Sequence, residues 1–465
     1  MSFPKVRVPY LLLLPGFAFL FTFFILPIIN LAQTSTQTPV AGGDTGEYEQ
    51  TLAFGNYIQA FVENKEQFGR SFLYASLATI FALAIAYPLA YAIAFKSGKF
   101  KNILLVLVVA PFFTSFLLRT IAWKQILGEE GFVVPGLRNL NIIGEQTTLT
   151  STSIAVVAGM TYNFLPFMTL PLYASLERID PRTIEAAGDL YANGITAFRR
   201  VTVPLSLPGV VAGTLLTFIP AAGDYVNAAI LGSPNTKMIG NVIESRYFKI
   251  VDYPTAAALS FTLMAAILIL VTLYILKSGK FKNILLVLVV APFFTSFLLR
   301  TIAWKQILGE EGFVVPGLRN LNIIGEQTTL TSTSIAVVAG MTYNFLPFMT
   351  LPLYASLERI DPRTIEAAGD LYANGITAFR RVTVPLSMPG VVAGTLLTFI
   401  PAAGDYVNAA ILGSPNTKMI GNVIESRYFK IVDYPTAAAL SFTLMAAILI
   451  LVTLYIRKAG TEELV

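Results

Sequence analysis

Long apolar runs separated by short charged segments dominate the chain. Nothing between Arg7 and Asp44 is charged, and Tyr10–Leu31 is almost entirely apolar. A membrane span needs about 20 apolar residues, so this run predicts a first span. It is longer than the apolar region of a signal peptide and lacks an Ala-x-Ala site, which favours a retained anchor. Similar runs predict five more spans, at Ser71–Phe95, Asn102–Leu118, Ile154–Leu176, Pro208–Leu231 and Ala256–Leu276.

Most of the chain is present twice. Lys96–Ile275 recurs as Lys277–Ile456, and the two blocks differ only at Leu207, which is replaced by Met388. Structural repeats tolerate far more divergence, so the identity indicates a very recent tandem duplication or an artefact of cloning or assembly. Three parts follow from this: a six-span unit at 1–276, its near-identical duplicate at 277–456, and a cytoplasmic tail at 457–465.

The Lys and Arg residues predict the orientation of the spans. With the N-terminus inside, the unduplicated unit places 11 of these residues in the cytoplasm and seven outside, as the positive-inside tendency requires. The duplicate adds four spans, near 283–299, 335–357, 389–412 and 437–456. Because four is an even number, each helix keeps its direction. The expected fold is an all-α polytopic membrane protein with about ten spans and both termini cytoplasmic.

Composition supports a lipid environment and excludes several kinds of chemistry. Hydrophobic residues make up 55% of the chain and charged residues 13%, against about 25% charged in soluble domains. Cysteine and histidine are absent, which excludes disulfides, thiolate and imidazole catalysis, and Cys/His metal sites. We therefore expect no metal and no cofactor. The net charge of +5 is small, and no basic run suggests nucleic acid.

A charged segment between spans four and five is too polar to cross the membrane. Asp180 suits a helix N-cap and Pro181 the first helical position. Asn193-Gly194 suits the C-terminal stop. From the residues alone, this helix is either an ordinary amphipathic surface connection or a docking surface for another protein.

A second short helix is expected directly after this stop. It would cover Ile195–Val203, until Pro204 and Pro208 turn the chain into span five. The two helices together would form a hairpin on the cytoplasmic side of the membrane.

Sequence motifs in and around this hairpin resemble a known family. Glu185-Ala186-Ala187, followed by Val203-Pro204-Leu205, is similar to the Glu-Ala-Ala loop of binding-protein-dependent ABC importer permeases. Three further stretches look most like the spermidine/putrescine branch, at 166–173, 206–213 and 238–243. One departure is Tyr191, with its twin Tyr372, where the family usually has glycine. Glycine would permit a tight turn there.

The resemblance implies a fold, a location and a set of partners. It implies a type I ABC importer permease fold with multiple spans in the bacterial inner membrane. The partners implied are ABC ATPase subunits, a second permease subunit, an extracytoplasmic solute-binding protein and the lipid bilayer. The segment that docks on the ATPase would be the coupling loop, with residues Glu185, Ala186, Ala187 and Asp189 and their twins Glu366, Ala367, Ala368 and Asp370.

The chain itself lacks the motif for ATP hydrolysis. No G-x-x-x-x-G-K-[ST] phosphate-binding loop occurs, since Ser97-Gly98-Lys99 lacks both the preceding glycine and the following Ser or Thr. The chain is therefore expected to be a transport subunit and not an enzyme, with a separate ATPase driving alternating access. An ATP-independent secondary transporter, or an ABC permease for another small solute, is the alternative. A further hypothesis is that the duplicate imitates the partner permease, although it lacks spans one and two.

Candidate solute contacts lie in and near the predicted spans. Acidic residues within a span are costly, so Asp224 and its twin Asp405 are functional candidates. Tyr225 and Tyr162 would add aromatic faces for the ammonium groups of a polyamine. The alternative is that Asp224 pairs with Arg119 or caps a broken helix. Arg119 is itself either an interface anchor, a salt-bridge partner or part of the solute path.

Overall fold

A computed structural model describes most of the chain. The residues described are 26–109, 111, 116–177, 179–189, 193–276, 297–310, 312, 314–357, 360–370 and 374–459. Up to residue 276 the helices are α1 Leu26–Ser35, α2 Gly55–Glu63, α3 Lys65–Phe95, α4 Lys101–Val109, α5 Phe116–Ile126, α6 Val133–Asn139, α7 Ser153–Leu176, α8 Pro181–Asp189, α9 Gly194–Ala197, α10 Val203–Ala222, α11 Val226–Leu231, α12 Ile239–Ser245 and α13 Tyr253–Leu276. The helices that follow are α14 Phe297–Ile307, α15 Val314–Asn320, α16 Ser334–Leu357, α17 Pro362–Asp370, α18 Gly375–Ala378, α19 Val384–Ala403, α20 Val407–Leu412, α21 Ile420–Glu425 and α22 Tyr434–Ala459.

Five helical stretches in the described residues are long and apolar enough to cross a membrane. They are Lys65–Phe95, Ser153–Leu176, Gly194–Ala222, Tyr253–Leu270 and Tyr434–Tyr455, and the bent pair Gly375–Met388 and Gly390–Ala403 would make a sixth. The multi-span helical architecture is thus confirmed. The predicted total of ten stays a prediction, because most of the first span and of the span near 283–299 lies outside the described residues.

Contacts divide the chain into two compact units. The first lies within Ile28–Pro111 and Leu117–Arg300, and the second mainly within Thr301–Val465. In the first unit, α3 and α7 pack along their length. Five alanines spaced three or four residues apart form one fully buried face of α3, at Ala75, Ala78, Ala82, Ala86 and Ala90. Small side chains on one face let two membrane helices approach closely.

Two glycines bring α10 against the other side of α7. A Cβ on Gly209 would lie 2.4 Å from the Ser175 Cβ and 2.7 Å from the Pro171 carbonyl oxygen. A Cβ on Gly213 would lie 2.9 Å from the Met168 carbonyl oxygen. The backbones of α7 and α10 therefore touch where a larger residue would separate them.

The expected turn between the cytoplasmic hairpin and span five is wrong. α9, a π-helical turn at Phe198–Thr202 and α10 form one continuous helical stretch, Gly194–Ala222. Pro204 directly follows the π-helical turn, and α10 continues through Pro208. Asn193 also does not stop α8 as expected, because its Oδ1 accepts the Thr196 N–H at 2.8 Å and so caps α9.

A small β-ribbon makes the all-α expectation too simple. Gln37–Pro39 pairs antiparallel with Tyr48–Gln50. The Tyr48 hydroxyl donates to the Val251 carbonyl at 2.7 Å, which holds the ribbon beside the start of α13. Arg246 adds ion pairs to Glu63 at 3.3 Å and to Asp252 at 3.0 Å. This end of the first unit is opposite the end that carries α8.

The close approach of α7 and α10 predicts the effect of adding one methyl group. Gly209→Ala should destabilise the protein by about 1–3 kcal/mol, because its Cβ would meet backbone atoms that cannot move aside. Gly69→Ala on α3 is the matched control, since nothing lies within 4 Å of its Cβ position, and it should leave stability unchanged or slightly raised. Thermal unfolding in detergent measures both variants. Equal melting temperatures would show that the contact is looser than described.

Candidate functional site

The predicted docking helix forms at one end of the first unit. The Asp180 Oδ1 accepts the Arg182 N–H at 3.0 Å, so the expected N-cap before Pro181 is present. Glu185 and Ala186 on α8 are exposed and Ala187 is half-buried. Asp189 is the last residue of α8. The Glu-Ala-Ala motif therefore lies on a short helix whose acidic side chain faces outward.

Apolar and ionic contacts fix this helix to the membrane helices. Ile184 packs on the buried cluster that contains Ile93 of α3, Leu176 of α7 and Ile179. Nearby, Lys101 at the start of α4 forms an ion pair with Glu177, the residue that follows α7. Sequence reasoning missed this pair, because 76 residues separate its members. We call this region, Lys96–Lys101 with Glu177–Thr202, the coupling end.

The second unit presents the same motif with less support. Glu366 and Ala367 are exposed, Ala368 is half-buried, and Asp370 ends α17. Ile365, the twin of Ile184, is 40% exposed. The duplicated block copies the sequence only from Lys96 onward, after the end of α3. The second unit therefore contains no copy of α3 to pack under this loop. Tyr191 and Tyr372, the departures from the family pattern, lie outside the described residues.

The continuous stretch Gly194–Ala222 joins the coupling end to the interior of the first unit. Its 29 residues correspond to about 44 Å at 1.5 Å per residue. The π-helical turn at Phe198–Thr202 lies within it, and such turns are often found at functional sites in helices. One continuous helical stretch therefore connects the coupling end to the residues that follow Ala222.

Asp224 lies at the far end of this helix and not within it. It occupies the break between α10 and α11 and is 6% exposed. Its Oδ1 accepts the Asn227 main-chain N–H at 3.0 Å, and its Oδ2 accepts from the Asn227 side-chain amide. The geometry is that of a carboxylate that caps a broken helix, which is one of the alternatives that the sequence left open for this residue of the predicted span five.

Three helical elements meet at Asn227 through buried side chains. The Asn163 Nδ2 of α7 donates to the Asn227 Oδ1 and to the Thr120 Oγ1 of α5, each at 3.0 Å. The Asp224 carboxylate orients the Asn227 side-chain amide, and this amide in turn orients the Asn163 side-chain amide. The buried Asn163 Oδ1 has no hydrogen-bond partner among the described residues. We call Thr120, Asn163, Asp224 and Asn227 the polar hub.

Residues of α12 contact the main chain at the break between α10 and α11. Gly240 approaches so closely that a Cβ would lie 2.7 Å from the Gly223 carbonyl oxygen. The Asn241 side-chain amide donates to the Tyr225 carbonyl at 2.7 Å. A backbone break at membrane depth needs such partners, because lipid offers none. Gly240 and Asn241 lie within a stretch of the family resemblance, but the sequence did not assign them this role.

Arg119 and Tyr162 are sequence neighbours of hub residues on α5 and α7. Arg119 is buried rather than exposed at an interface. The half-buried Tyr162 ring lies 5.5 Å from the Trp123 ring, centroid to centroid. Tyr162 lines a largely apolar cavity of about 540 Å³ that is also bounded by Tyr74, Phe81, Trp123 and Val157. Asp224 and Tyr225 do not line it, so only one of the two aromatic candidates borders this cavity.

The second unit repeats the polar hub. Asn344 Nδ2 donates to the Thr301 Oγ1 at 3.0 Å and to the Asn408 Oδ1 at 2.9 Å. Asp405 is buried and accepts the main-chain N–H groups of Val407 and Asn408 at 2.7 and 3.1 Å. The hub therefore forms from the 180-residue block alone, without α3.

Comparison with known proteins identifies relatives of the same kind. The chain is 34% identical over 283 residues to the spermidine/putrescine transport system permease protein PotB of Haemophilus influenzae, covering 61% of this chain and 96% of the relative. It is 36% identical over 200 residues to PotB of Escherichia coli, covering 43% and 73%. It is also 33% identical over 220 residues to the inner membrane ABC transporter permease protein YdcU of Escherichia coli, covering 45% and 69%.

A family profile matches both halves of the duplication. The profile described as "binding-protein-dependent transport system inner membrane component" matches residues 78–279 and again 276–459. Two consecutive matches are consistent with a tandem duplication of one permease domain, as the sequence predicted. They also cover most of the chain. The chain therefore belongs to the family of binding-protein-dependent transport system inner membrane components.

Proposed function

We propose that this chain is the membrane-spanning permease subunit of an ABC importer for spermidine and putrescine. The observation that carries the proposal is the match of nearly the whole length of a spermidine/putrescine permease to this chain. The exposed Glu-Ala-Ala helix at the coupling end supports it, because it offers a docking surface for an ATPase that the chain itself does not contain. The other partners would be a second permease subunit and an extracytoplasmic solute-binding protein.

The proposed mechanism is a movement passed from the coupling end to the polar hub. An ATPase that binds Glu185 on α8 would pull on the α8–α9 segment when its nucleotide state changes. Gly194–Ala222 would carry this pull as a rigid helix, and the π-helical turn would take up the change in angle. The break at Asp224 would then move relative to α7. This movement is the proposed switch between inward-facing and outward-facing states.

The polar hub is the proposed place where a polyamine passes. Asp224 supplies the negative charge, although both its carboxylate oxygens already accept hydrogen bonds within the protein. The Asn163 Oδ1 is an acceptor without a protein partner in the described residues, and an ammonium group can donate to it. We propose that the charge of Asp224 attracts the cation, Asn163 contacts it, and Tyr162 and Arg119 border the path nearby.

The proposed solute is tested by uptake in cells that carry the complete transport operon. Removing this gene should abolish accumulation of labelled spermidine and putrescine, and returning it should restore accumulation. The purified chain alone in vesicles should not accumulate either solute with a proton or sodium gradient, since no energy source of its own is proposed. Accumulation by the chain alone would favour a secondary transporter, and unchanged uptake without the gene would show that another solute is carried.

The duplicated coupling loops provide a matched pair of variants. Glu185→Lys in the full chain should lower polyamine uptake at least about tenfold and reduce co-purification of the ATPase, because it reverses the charge of the docking surface. Glu366→Lys should leave uptake within about twofold, because its helix has no α3 beneath it to receive the movement. Both variants should reach the membrane in normal amounts. Normal uptake with Glu185→Lys, or equal loss with both variants, would contradict the proposed role.

The charge of the hub is tested separately from its capping role. Asp224→Asn combined with Asp405→Asn keeps oxygen acceptors for the main chain but removes both charges. Spermidine binding to the purified chain should weaken about tenfold, the difference expected when a charged hydrogen-bond acceptor becomes neutral. Asp252→Asn with Asp433→Asn is the control, since these residues cap helices outside the hub. If binding is unchanged in the hub variant, Asp224 acts only as a cap.

A further inference from the structure

The short helix α2 is fixed to the rest of the first unit along one side. It packs on α13, and Ala60 is buried in that contact. The Asn56 side-chain amide donates to the main-chain carbonyls of Ser35 and Gln37 at 3.0 and 2.9 Å. Asn56 and Ala60 are four residues apart and therefore lie on the same face of the helix. These contacts determine which of its other residues point away from the protein.

The remaining surface of α2 has two exposed sectors that differ in polarity. Phe54, which directly precedes the helix, Ile58 and Val62 follow at intervals of four residues and are 67%, 72% and 58% exposed. Gln59 and Glu63 form the second exposed sector, and the Gln59 side-chain amide donates to the Glu63 carboxylate at 2.9 Å. At about 100° per residue, the two sectors lie side by side. α2 therefore has one face on the protein, one apolar face and one polar face.

The apolar face lies close to the point where a membrane helix begins. Phe61 belongs to it, and we call Phe54, Ile58, Phe61 and Val62 the α2 stripe. One residue separates α2 from α3, whose stretch Ser71–Phe95 contains no charged residue. The Phe61 ring lies 5.4 Å from the ring of Phe68, centroid to centroid, and Phe68 is about one turn before Ser71. The α2 stripe is therefore at the level where the charge-free part of α3 starts.

We propose that α2 is an interfacial helix that rests on the lipid bilayer, with the α2 stripe inserted between the headgroups and the upper acyl chains. A helix with an apolar and a polar face lies in the plane of the membrane surface, with its apolar face about 5–10 Å deep in this boundary. The sector of Gln59 and Glu63 then faces water. The stripe contains no basic residue, so the contact depends on apolar insertion and not on attraction to anionic lipid.

This contact would also fix the height of α3 in the membrane. Asn64 is the one residue between the two helices, and its buried side-chain amide donates to the Ala60 carbonyl at 2.8 Å. The corner between α2 and α3 is thus closed by a hydrogen bond as well as by the Phe61–Phe68 contact. A helix that rests on the surface at this corner prevents α3 from sliding along its own axis.

The test uses the full chain, which contains no cysteine, reconstituted in vesicles of neutral phosphatidylcholine. Ile58→Cys and, as the matched control, its neighbour Gln59→Cys each carry one thiol-linked fluorophore. A nitroxide near the headgroup end of the lipid acyl chain should quench the label of Ile58→Cys at least about threefold more than that of Gln59→Cys. Iodide dissolved in the water should quench the two labels with the opposite preference.

A third labelled variant distinguishes the membrane surface from its interior. Ile80 is exposed on α3, about 14 Å along the helix from Ser71, so a nitroxide at the middle of the bilayer should quench Ile80→Cys at least about threefold more than Ile58→Cys. Equal quenching of these two would overturn the proposal, since α2 would then be buried in the bilayer. Equal quenching of Ile58→Cys and Gln59→Cys by iodide would also overturn it, since the stripe would then face water and be left for a protein partner.

Discussion

Within a bilayer, every main-chain N–H and carbonyl group must find a partner in the protein, and this constraint explains the interior of both units. Lipid cannot replace the main-chain hydrogen bonds that are lost where a helix is interrupted, yet the chain interrupts one at Gly223–Tyr225. Asp224 accepts the hydrogen bonds that the start of α11 cannot make internally, and Asn241 donates to the Tyr225 carbonyl. Asn227 and Asn163 then connect this repair to α7 and α5. A helix break at this depth therefore requires these polar side chains as hydrogen-bond partners.

The duplication separates what the sequence encodes locally from what depends on neighbours. Both units form the same hub with nearly the same distances, although only the first has α3 beside it. The hydrogen bonds of the hub are therefore determined by residues within the duplicated block. Burial behaves differently, because Val157 is covered and Val338 is not. The burial of an apolar face therefore depends on which helices lie beside it, whereas the polar groups of the hub keep the same partners in both units.

The sequence predicted the elements that depend on local rules and missed those that depend on packing. The cap at Asp180 and the helix from Pro181 were predictable, because both follow from preferences within a few residues. The turn expected at Pro204 and Pro208 was wrong, since α9, the π-helical turn and α10 form one continuous helical stretch that accommodates both prolines. Asp224 was interpreted from the sequence as a solute contact, a partner of Arg119 or the cap of a broken helix, but its hydrogen-bond partner Asn227 was not foreseen. The Lys101–Glu177 pair needed the fold to be known.

α3 is the helix that connects the other membrane helices of the first unit to the Glu-Ala-Ala helix. It packs on both α7 and α10, and its last turn supports Ile184 beneath the Glu-Ala-Ala helix. In the proposed mechanism, a force applied to α8 would act on helices that pack against α3. In the second unit the corresponding isoleucine, Ile365, is 40% exposed, and its helix lacks this brace. The two identical motifs therefore differ in the packing behind them, and the proposed mechanism assigns the coupling role to the motif that α3 supports.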